Sequence, residues 1–191
     1  AACKIGKEKG LVVSCDVNFR TKLWDRKTAS TKLGELLKYV DVCIINEEHA
    51  GELFGIRPHS KEIDRDAFNS DIGTYISRGM MEKFPLKKVA ITYRRTISAN
   101  VNRWWATLYD GENIHISKEY LLDIIDRIGS GDAFAGGLIY ALLCNRDLQF
   151  AVDFGAACCA LKHTIEGDFN QVGVGEVIEL LESDRQGQVA R

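Results

Sequence analysis

Residues 126–132 read Asp-Arg-Ile-Gly-Ser-Gly-Asp and run directly into the small and apolar residues of 133–143. Glycines in such a turn let the backbone come close to a bound group without a Cβ clash. The first amides of the helix that follows have no partner within the helix, and the helix dipole favours an anion there. Asp132 lies at or near the predicted helix start, where it could accept a proton from a bound hydroxyl. An aspartate is equally a common helix cap, so the turn alone leaves both interpretations open.

Composition narrows the class of protein. At 191 residues the chain fits one domain or a large part of one, and 46% apolar with 27% charged residues is typical of a soluble globular protein. The net charge of −2, with scattered Lys and Arg, argues against nucleic-acid and membrane partners. Six cysteines without a C-x-x-C pair argue against zinc and predict free thiols in a reducing, cytoplasmic setting.

Apolar runs and helical spacing alternate along the chain. Buried strands are predicted at 11–15, 40–45 and 88–93, followed by an alternating segment at 96–117 with a hairpin turn at Asp110-Gly111. Helices are predicted at 31–39, 47–54, 71–83, 129–145, 150–163 and 174–183. Residues 1–10 look like the last turns of a helix without a starting Met, which predicts that the chain begins inside a longer fold. The pattern predicts an α/β fold with a mostly parallel sheet covered on both faces.

Three polar clusters follow predicted strands or open a predicted helix: residues 16–20, 46–48 and 129–132. In open α/β sheets, ligands bind at the carboxyl ends of the strands. Because the three clusters share this position, each is a stronger candidate for a ligand-binding site than a lone motif would be.

Residues 126–137 resemble the C-terminal signature of the ribokinase-like (PfkB-type) carbohydrate kinases, an Asp followed by Gly-small-Gly-Asp and a helix of small residues. Arg127 departs from that pattern, whose second position is small or β-branched. The resemblance implies that Asp132 is the catalytic base and that the amides of Gly129, Ser130 and Gly131 form an anion hole. It also implies a ribokinase-like three-layer α/β/α sandwich.

Two further segments resemble the 2-keto-3-deoxygluconate kinases of that family. Residues 13–24 carry Asp-x-Asn-x-Arg and then Leu-Trp, and residues 160–170 read Ala-Leu-Lys-His-Thr-Ile-Glu-Gly-Asp-Phe-Asn. The resemblance implies that Arg20 binds substrate or phosphates and that Asp168 joins Asp132 at the substrate site. It further implies that the stretch before Asp168 lines the adenine pocket. The ATP contacts expected from these two segments are Asn18, Arg20, His163 and Asn170.

Arg20 and the 46–49 cluster each have a second interpretation. A guanidinium suits carboxylate or phosphate, but Arg20 could instead pair at the surface with Asp25 or Asp16. Residues 46–49 read Asn-Glu-Glu-His where the family carries Asn-x-x-Glu, a magnesium-associated motif. Glu47 and Glu48 are therefore the candidate metal ligands, and they equally suit the acidic first turn of a helix.

Residues 92–96 correspond to the nucleotide loop of that family, although they lack its usual glycines. Thr92, Arg94 and Arg95 are the expected contacts with ATP phosphates. A solvated bend is the alternative.

Taken together, residues 1–191 are predicted to be the C-terminal nucleotide-binding and catalytic part of a single carbohydrate kinase domain, with the N-terminal part and lid missing. The expected reaction is ATP-dependent phosphorylation of a sugar acid, 2-keto-3-deoxygluconate, to its 6-phosphate. Fructokinase or ribokinase activity, and a non-catalytic nucleotide-binding fragment, are the alternatives. The expected cofactors are ATP and Mg²⁺, with a monovalent cation as a further candidate. The full-length form could be a homo-oligomer.

Overall fold

The computed structural model describes residues 1–58 and 70–183, in which helices and strands alternate as predicted. The helices are α1 (Ala2–Glu8), α2 (Arg26–Leu37), α3 (Glu47–Phe54), α4 (Asp71–Lys83), α5 (Ser130–Leu143), α6 (Leu148–Lys162) and α7 (Val174–Glu182). The strands are β1 (Ser14–Asp16), β2 (Val42–Asn46), β3 (Lys88–Thr96), β4 (Val101–Tyr109), β5 (Ile114–Ile116) and β6 (Tyr120–Asp123). The fold is α/β with a mixed, mostly parallel sheet, as predicted.

The chain divides into two compact units, residues 1–92 with 108–114 and residues 93–107 with 115–191. In the first unit, β1, β2 and β3 are parallel neighbours, with Ser14 opposite Val42 and Asn46 opposite Thr92. Helix α2 connects β1 to β2, and α3 and α4 lie between β2 and β3 in the chain. These connections are βαβ units, which place the ends of β1 and β2 at one edge of the sheet.

In the second unit, β4 pairs antiparallel with β6 from Val101 opposite Asp123 to Trp104 opposite Tyr120. Helices α5 and α6 approach each other closely. A Cβ on Gly137 would lie 2.7 Å from Cys158 Sγ and 3.0 Å from Gly155 Cα, and a Cβ on Gly155 would lie 3.0 Å from the Phe134 carbonyl. Only glycine fits at these two positions, so the backbones of the two helices are held in direct contact.

Cysteines follow the prediction. All six are free, and Cys158 and Cys159 lie side by side and buried in α6. Burial raises the pKa of the half-buried Cys15 thiol to about 11. No described helix combines the length and the apolar character that a membrane crossing requires.

The first predicted strand is wrong in both position and burial. The strand begins only at Ser14, while Leu11 and Val12 are 60% and 75% exposed. An apolar run is buried only where another layer of the fold covers it. The preceding helix α1 does not supply such a layer, since it buries none of its own residues.

Two other elements differ from prediction. Helix α2 begins at Arg26 rather than residue 31, because Asp25 caps it by accepting a hydrogen bond from the Thr28 amide at 2.9 Å. Strand β6 was not predicted at all; its four residues alternate between buried and exposed, which is too short a pattern to stand out from a loop.

Candidate phosphoryl-transfer site

The turn that opens α5 is built on Gly129, which is the N-cap residue and has a left-handed φ of 78°. Ser130 is the first helical residue and Asp132 the third, and no side chain caps the helix. The interpretation of Asp132 as a capping residue is therefore wrong. Its carboxylate is exposed in the first turn, where the helix dipole favours negative charge.

Unpaired amides accompany that carboxylate. The Ser130 amide reaches the Arg127 carbonyl only at 3.4 Å, close to the limit for a hydrogen bond. Among the described residues, the amides of Gly131 and Asp132 have no hydrogen-bond acceptor. The start of α5 thus presents free N–H donors beside a carboxylate, as an anion-binding helix N-terminus requires.

Asp126 connects this turn to a second segment of the same unit. One carboxylate oxygen, Oδ1, accepts a hydrogen bond from the Ile128 amide at 3.0 Å, and Oδ2 accepts one from the Gly167 amide at 2.9 Å. The Ile128 and Gly167 amides hold the pKa of Asp126 below its ordinary value. The backbone adds two further bonds, since the amides of residues 125 and 126 donate to the His163 carbonyl at 2.9 and 3.3 Å.

The same two segments meet at Gly129. A Cβ placed on Gly129 would lie 2.2 Å from the Asp168 carbonyl oxygen, so only glycine permits this approach. The backbone of Asp168 therefore lies against the N-cap of α5, and its side chain is exposed. Asp132 and Asp168, predicted together at the substrate site, are on two segments that the structure holds in contact.

His163 and Asn170 flank this segment in different environments. His163 is buried at 2% exposure, and its Nδ1 donates to the Cys159 carbonyl at 2.8 Å. Burial lowers the pKa of His163, which favours the neutral ring. Its ring is enclosed by protein, whereas Asn170 is exposed. Both remain predicted ATP contacts.

The first unit carries the other predicted cluster. Asn46 caps α3 by accepting a hydrogen bond from the His49 amide at 2.7 Å. His49 Nδ1 lies 3.1 Å from Asn46 Nδ2 and 3.2 Å from the Val17 carbonyl oxygen. His49 thereby ties the start of α3 to the segment after β1 that carries Asn18 and Arg20, both of them exposed.

Arg20 takes part in no ion pair within 1–58 and 70–183. Asp25, one of the partners considered for it, instead caps α2. The surface pair with Asp25 is therefore absent, and the guanidinium is exposed to solvent.

Glu47 and Glu48 occupy the first turn of α3, as the alternative interpretation of an acidic first helical turn predicts. Across the described ranges, no group of three or more His, Cys, Asp or Glu side chains is arranged to hold a metal ion. The assignment of a metal to these two carboxylates stays a prediction.

The expected nucleotide loop is a strand. Strand β3 continues through Thr96, so neither a loop nor a solvated bend begins at Thr92. Thr92 is the register partner of Asn46 in the first unit. In the second unit, Arg94 is exposed, and the Arg95 guanidinium lies 5.5 Å from the centroid of the Trp105 ring. Within this segment Tyr93 is buried, which holds the first part of it in the sheet.

Comparison with known proteins supplies the family. Residues 1–170 match the pfkB family of carbohydrate kinases. The chain belongs to the pfkB family. The resemblance found in residues 126–137 is thereby confirmed.

The relatives of this pfkB chain include several sugar kinases. The chain is 28% identical to a 2-dehydro-3-deoxygalactonokinase of Haloferax volcanii, covering 94% of this chain and 50% of the relative. It is 26% identical to rice (Oryza sativa) Fructokinase-1, covering 95% and 52%. The crystal structure of Thermotoga maritima 2-dehydro-3-deoxygluconokinase is 38% identical, with a TM-score of 0.85 over 95% of this chain and 53% of that one. The chain spans about half the length of the relatives it matches.

Two residues of this pfkB chain escaped sequence reasoning. Asp126 was recognised as part of the signature but given no role. Lys162 lies in the matched segment of residues 160–170 but was given no role of its own, although it is fully buried and donates from Nζ to the Ile165 carbonyl at 3.0 Å. A lysine at the end of the apolar run of α6 was the signal available in the sequence.

Proposed function

We propose that the protein containing this chain transfers the γ-phosphoryl group of ATP to the terminal hydroxyl of a sugar acid, 2-keto-3-deoxygluconate, giving its 6-phosphate. The observation that carries this proposal is the start of α5, where unpaired amides at Gly131 and Asp132 accompany an exposed carboxylate. A site with these parts can bind a phosphate and accept a proton at one place.

The chemistry follows from these groups. The Asp132 carboxylate accepts the proton of the sugar hydroxyl as the hydroxyl oxygen forms its bond to the γ-phosphorus. The bond between the γ-phosphorus and the bridging oxygen breaks, and ADP leaves with that oxygen. Amides at Gly129, Ser130, Gly131 and Asp132 are the candidates to stabilise the negative charge that spreads over the transferring group. Of these, Gly131 and Asp132 are the best placed, because the Ser130 amide is partly engaged.

The described residues fit a phosphate-bearing nucleotide better than they fit a fully protein-bound metal. A 14-residue helix with a free N-terminus suits phosphate oxygens. Mg²⁺, when bound, neutralises phosphate charge, and it usually takes only one or two carboxylates besides phosphates and water. Glu47 and Glu48 are the residues we propose for that contact. The monovalent cation and the homo-oligomer stay predictions.

Two relatives support a sugar acid as substrate. The Haloferax and Thermotoga proteins are named for 2-dehydro-3-deoxy sugar acids, and the latter is also the most identical of the three compared. Arg20 is exposed and forms no ion pair with the described residues, so it offers a guanidinium to a substrate carboxylate. The similarity to rice Fructokinase-1 makes fructose the second candidate substrate.

Substitution of the proposed base tests the mechanism. In the full-length protein, Asp132→Asn should lower kcat on the order of 10²- to 10⁴-fold in a coupled ADP-release assay, because it removes the proton acceptor. ATP affinity measured by calorimetry should change little. Asp123→Asn is the matched control, since Asp123 is an exposed aspartate of the same unit outside the turn. Full turnover by Asp132→Asn would show that the proposed mechanism is wrong.

A substrate panel separates the candidate substrates. Activity should be highest with 2-keto-3-deoxygluconate and lower with its galactonate epimer, fructose and ribose. Arg20→Ala should then reduce kcat/KM for the sugar acid far more than for fructose, because only the acid carries a carboxylate for the guanidinium. Equal losses would assign Arg20 to phosphate binding.

The non-catalytic alternative has its own signature. A protein that binds ATP in calorimetry but turns over none of the four sugars would be a nucleotide-binding protein rather than a kinase.

A further inference from the structure

Asp126 closes a ring of hydrogen bonds between two loops of the second unit. Its two carboxylate oxygens are used on different segments: Oδ1 on the Ile128 amide of the α5 turn, and Oδ2 on the Gly167 amide of the loop after α6. Both hydrogen bonds are charge-assisted, and both donors are backbone amides. The bonds therefore fix the positions of the two loop backbones relative to each other. The α5 turn leads into Asp132 in the first turn of the helix, and the second loop carries Asp168.

Lys162 lies at the base of the second loop. Its side chain is fully buried, and Nζ donates to the Ile165 carbonyl at 3.0 Å. A buried ammonium is unfavourable unless hydrogen bonds and a compensating charge accompany it. The last turn of α6 supplies negative partial charge, and the bond to Ile165 attaches the ammonium to the loop that also carries Gly167.

The hydrogen bonds of both residues run to the backbone of the two loops. These hydrogen bonds fix the spacing between the N-terminus of α5 and the loop of residues 165–168. The spacing is small, because the backbones of the two segments meet at Gly129. A displacement of this loop would move Asp168 and the free amides relative to each other, and reacting groups tolerate little displacement.

We propose that Asp126 and Lys162 are positioning residues that act as one charged brace, holding the Asp168 loop in register with the first turn of α5. This inference rests on the proposed function, because the groups it positions are those assigned to phosphoryl transfer and substrate binding. Neither residue is among the groups assigned to the reaction.

The kinetic test uses Asp126→Asn in the full-length protein. An amide has one oxygen, so it can accept only one of the two backbone bonds and presents an N–H to the other amide. We expect kcat per folded molecule to fall on the order of 10- to 100-fold, with KM for ATP changed less than about threefold. Asp123→Asn is the control, since it removes one exposed aspartate charge from the same unit outside both loops and should leave kcat unchanged.

A readout independent of turnover separates the brace from the reaction. Amide hydrogen exchange, followed by NMR or mass spectrometry, should be faster at Gly167 in Asp126→Ala than in wild type, while exchange in the core of α6 stays the same. Unchanged exchange at Gly167 would overturn the brace even in an active kinase. If the wild-type protein phosphorylates no sugar, the proposed function fails, and faster exchange at Gly167 would still support the brace.

A double-mutant cycle tests whether the two residues act together. Lys162→Met keeps the volume of the buried stem without the charge, and its effect on kcat should not add to that of Asp126→Asn. The double variant should resemble the more damaged single variant. Fully additive losses would remove Lys162 from the brace. A wild-type kcat per folded molecule in Asp126→Asn would overturn the whole inference.

Discussion

Replacing Gly129 by alanine tests the contact on which the site depends. The residue has a φ of 78°, and a Cβ there would lie 2.2 Å from the Asp168 carbonyl oxygen. An alanine in the left-handed region costs about 1–2 kcal/mol. The clash adds to this, because one of the two segments must move by about 1 Å to restore an ordinary contact, and overpacking of this kind costs about 1–3 kcal/mol.

The structure offers two matched controls for Gly129→Ala. Gly167 has a φ of 81° but nothing within 4 Å of its Cβ position, so Gly167→Ala isolates the backbone strain. Gly136 lies inside α5 with open space around it, so Gly136→Ala should be neutral or stabilising by up to about 1 kcal/mol. We expect the order of stability in urea unfolding of the full-length protein to be Gly136→Ala, then Gly167→Ala, then Gly129→Ala.

Turnover gives the second half of the test. Because a displacement of about 1 Å at a reacting centre can cost on the order of 100-fold, Gly129→Ala should lose kcat to a greater degree than Gly167→Ala. If Gly129→Ala proved no less stable and no less active than Gly167→Ala, the close approach of Asp168 to the α5 turn would be refuted.

Further predictions concern the remainder of the chain. Burial raises the pKa of Asp41, but hydrogen bonds from two lysines and a backbone amide outweigh it and lower the pKa below its ordinary 3.8. The resulting stabilisation of the folded state is present above that value and is lost as pH falls below it. Asp41→Asn should therefore flatten the acid limb of a curve of unfolding free energy against pH. Asp25→Ala should cost about 0.5–2 kcal/mol in urea unfolding, because it removes the cap of α2. A thiol reagent should label the exposed Cys144 first, and mass spectrometry should find Cys43 and Cys159 labelled only on unfolding. Both of the latter are buried, and burial raises the pKa of their thiols. Early labelling of Cys43 would contradict this prediction.

The elements whose local signals and burial agree could be predicted from the sequence. Helices α3 and α4 begin and end where the spacing predicted, since Asn46 and Gly55 mark the ends of α3 and Phe84 ends α4. The glycine turn was also predictable, because glycines let a backbone approach another group closely, but the sequence did not reveal that this group includes the Asp168 backbone.

Features that depend on residues far away in the chain could not be predicted from the sequence. Leu11 and Val12 are apolar yet exposed, and nothing in their own sequence tells whether a layer covers them. Strand β6 exists because β4 offers it a partner, which a four-residue pattern cannot reveal. The pairing of Asp126 with Gly167 joins positions 41 apart in sequence, so only the folded chain brings the brace together.

The seam between Gly137 and Gly155 bears on how the site would respond to a ligand. With the two helix backbones in contact, α5 cannot slide or tilt against α6 without opening a gap between them. The dipoles at the start of α5 are therefore already oriented before a charged group arrives. In the proposed phosphoryl transfer, donors held in this way would add little reorganisation energy to the barrier.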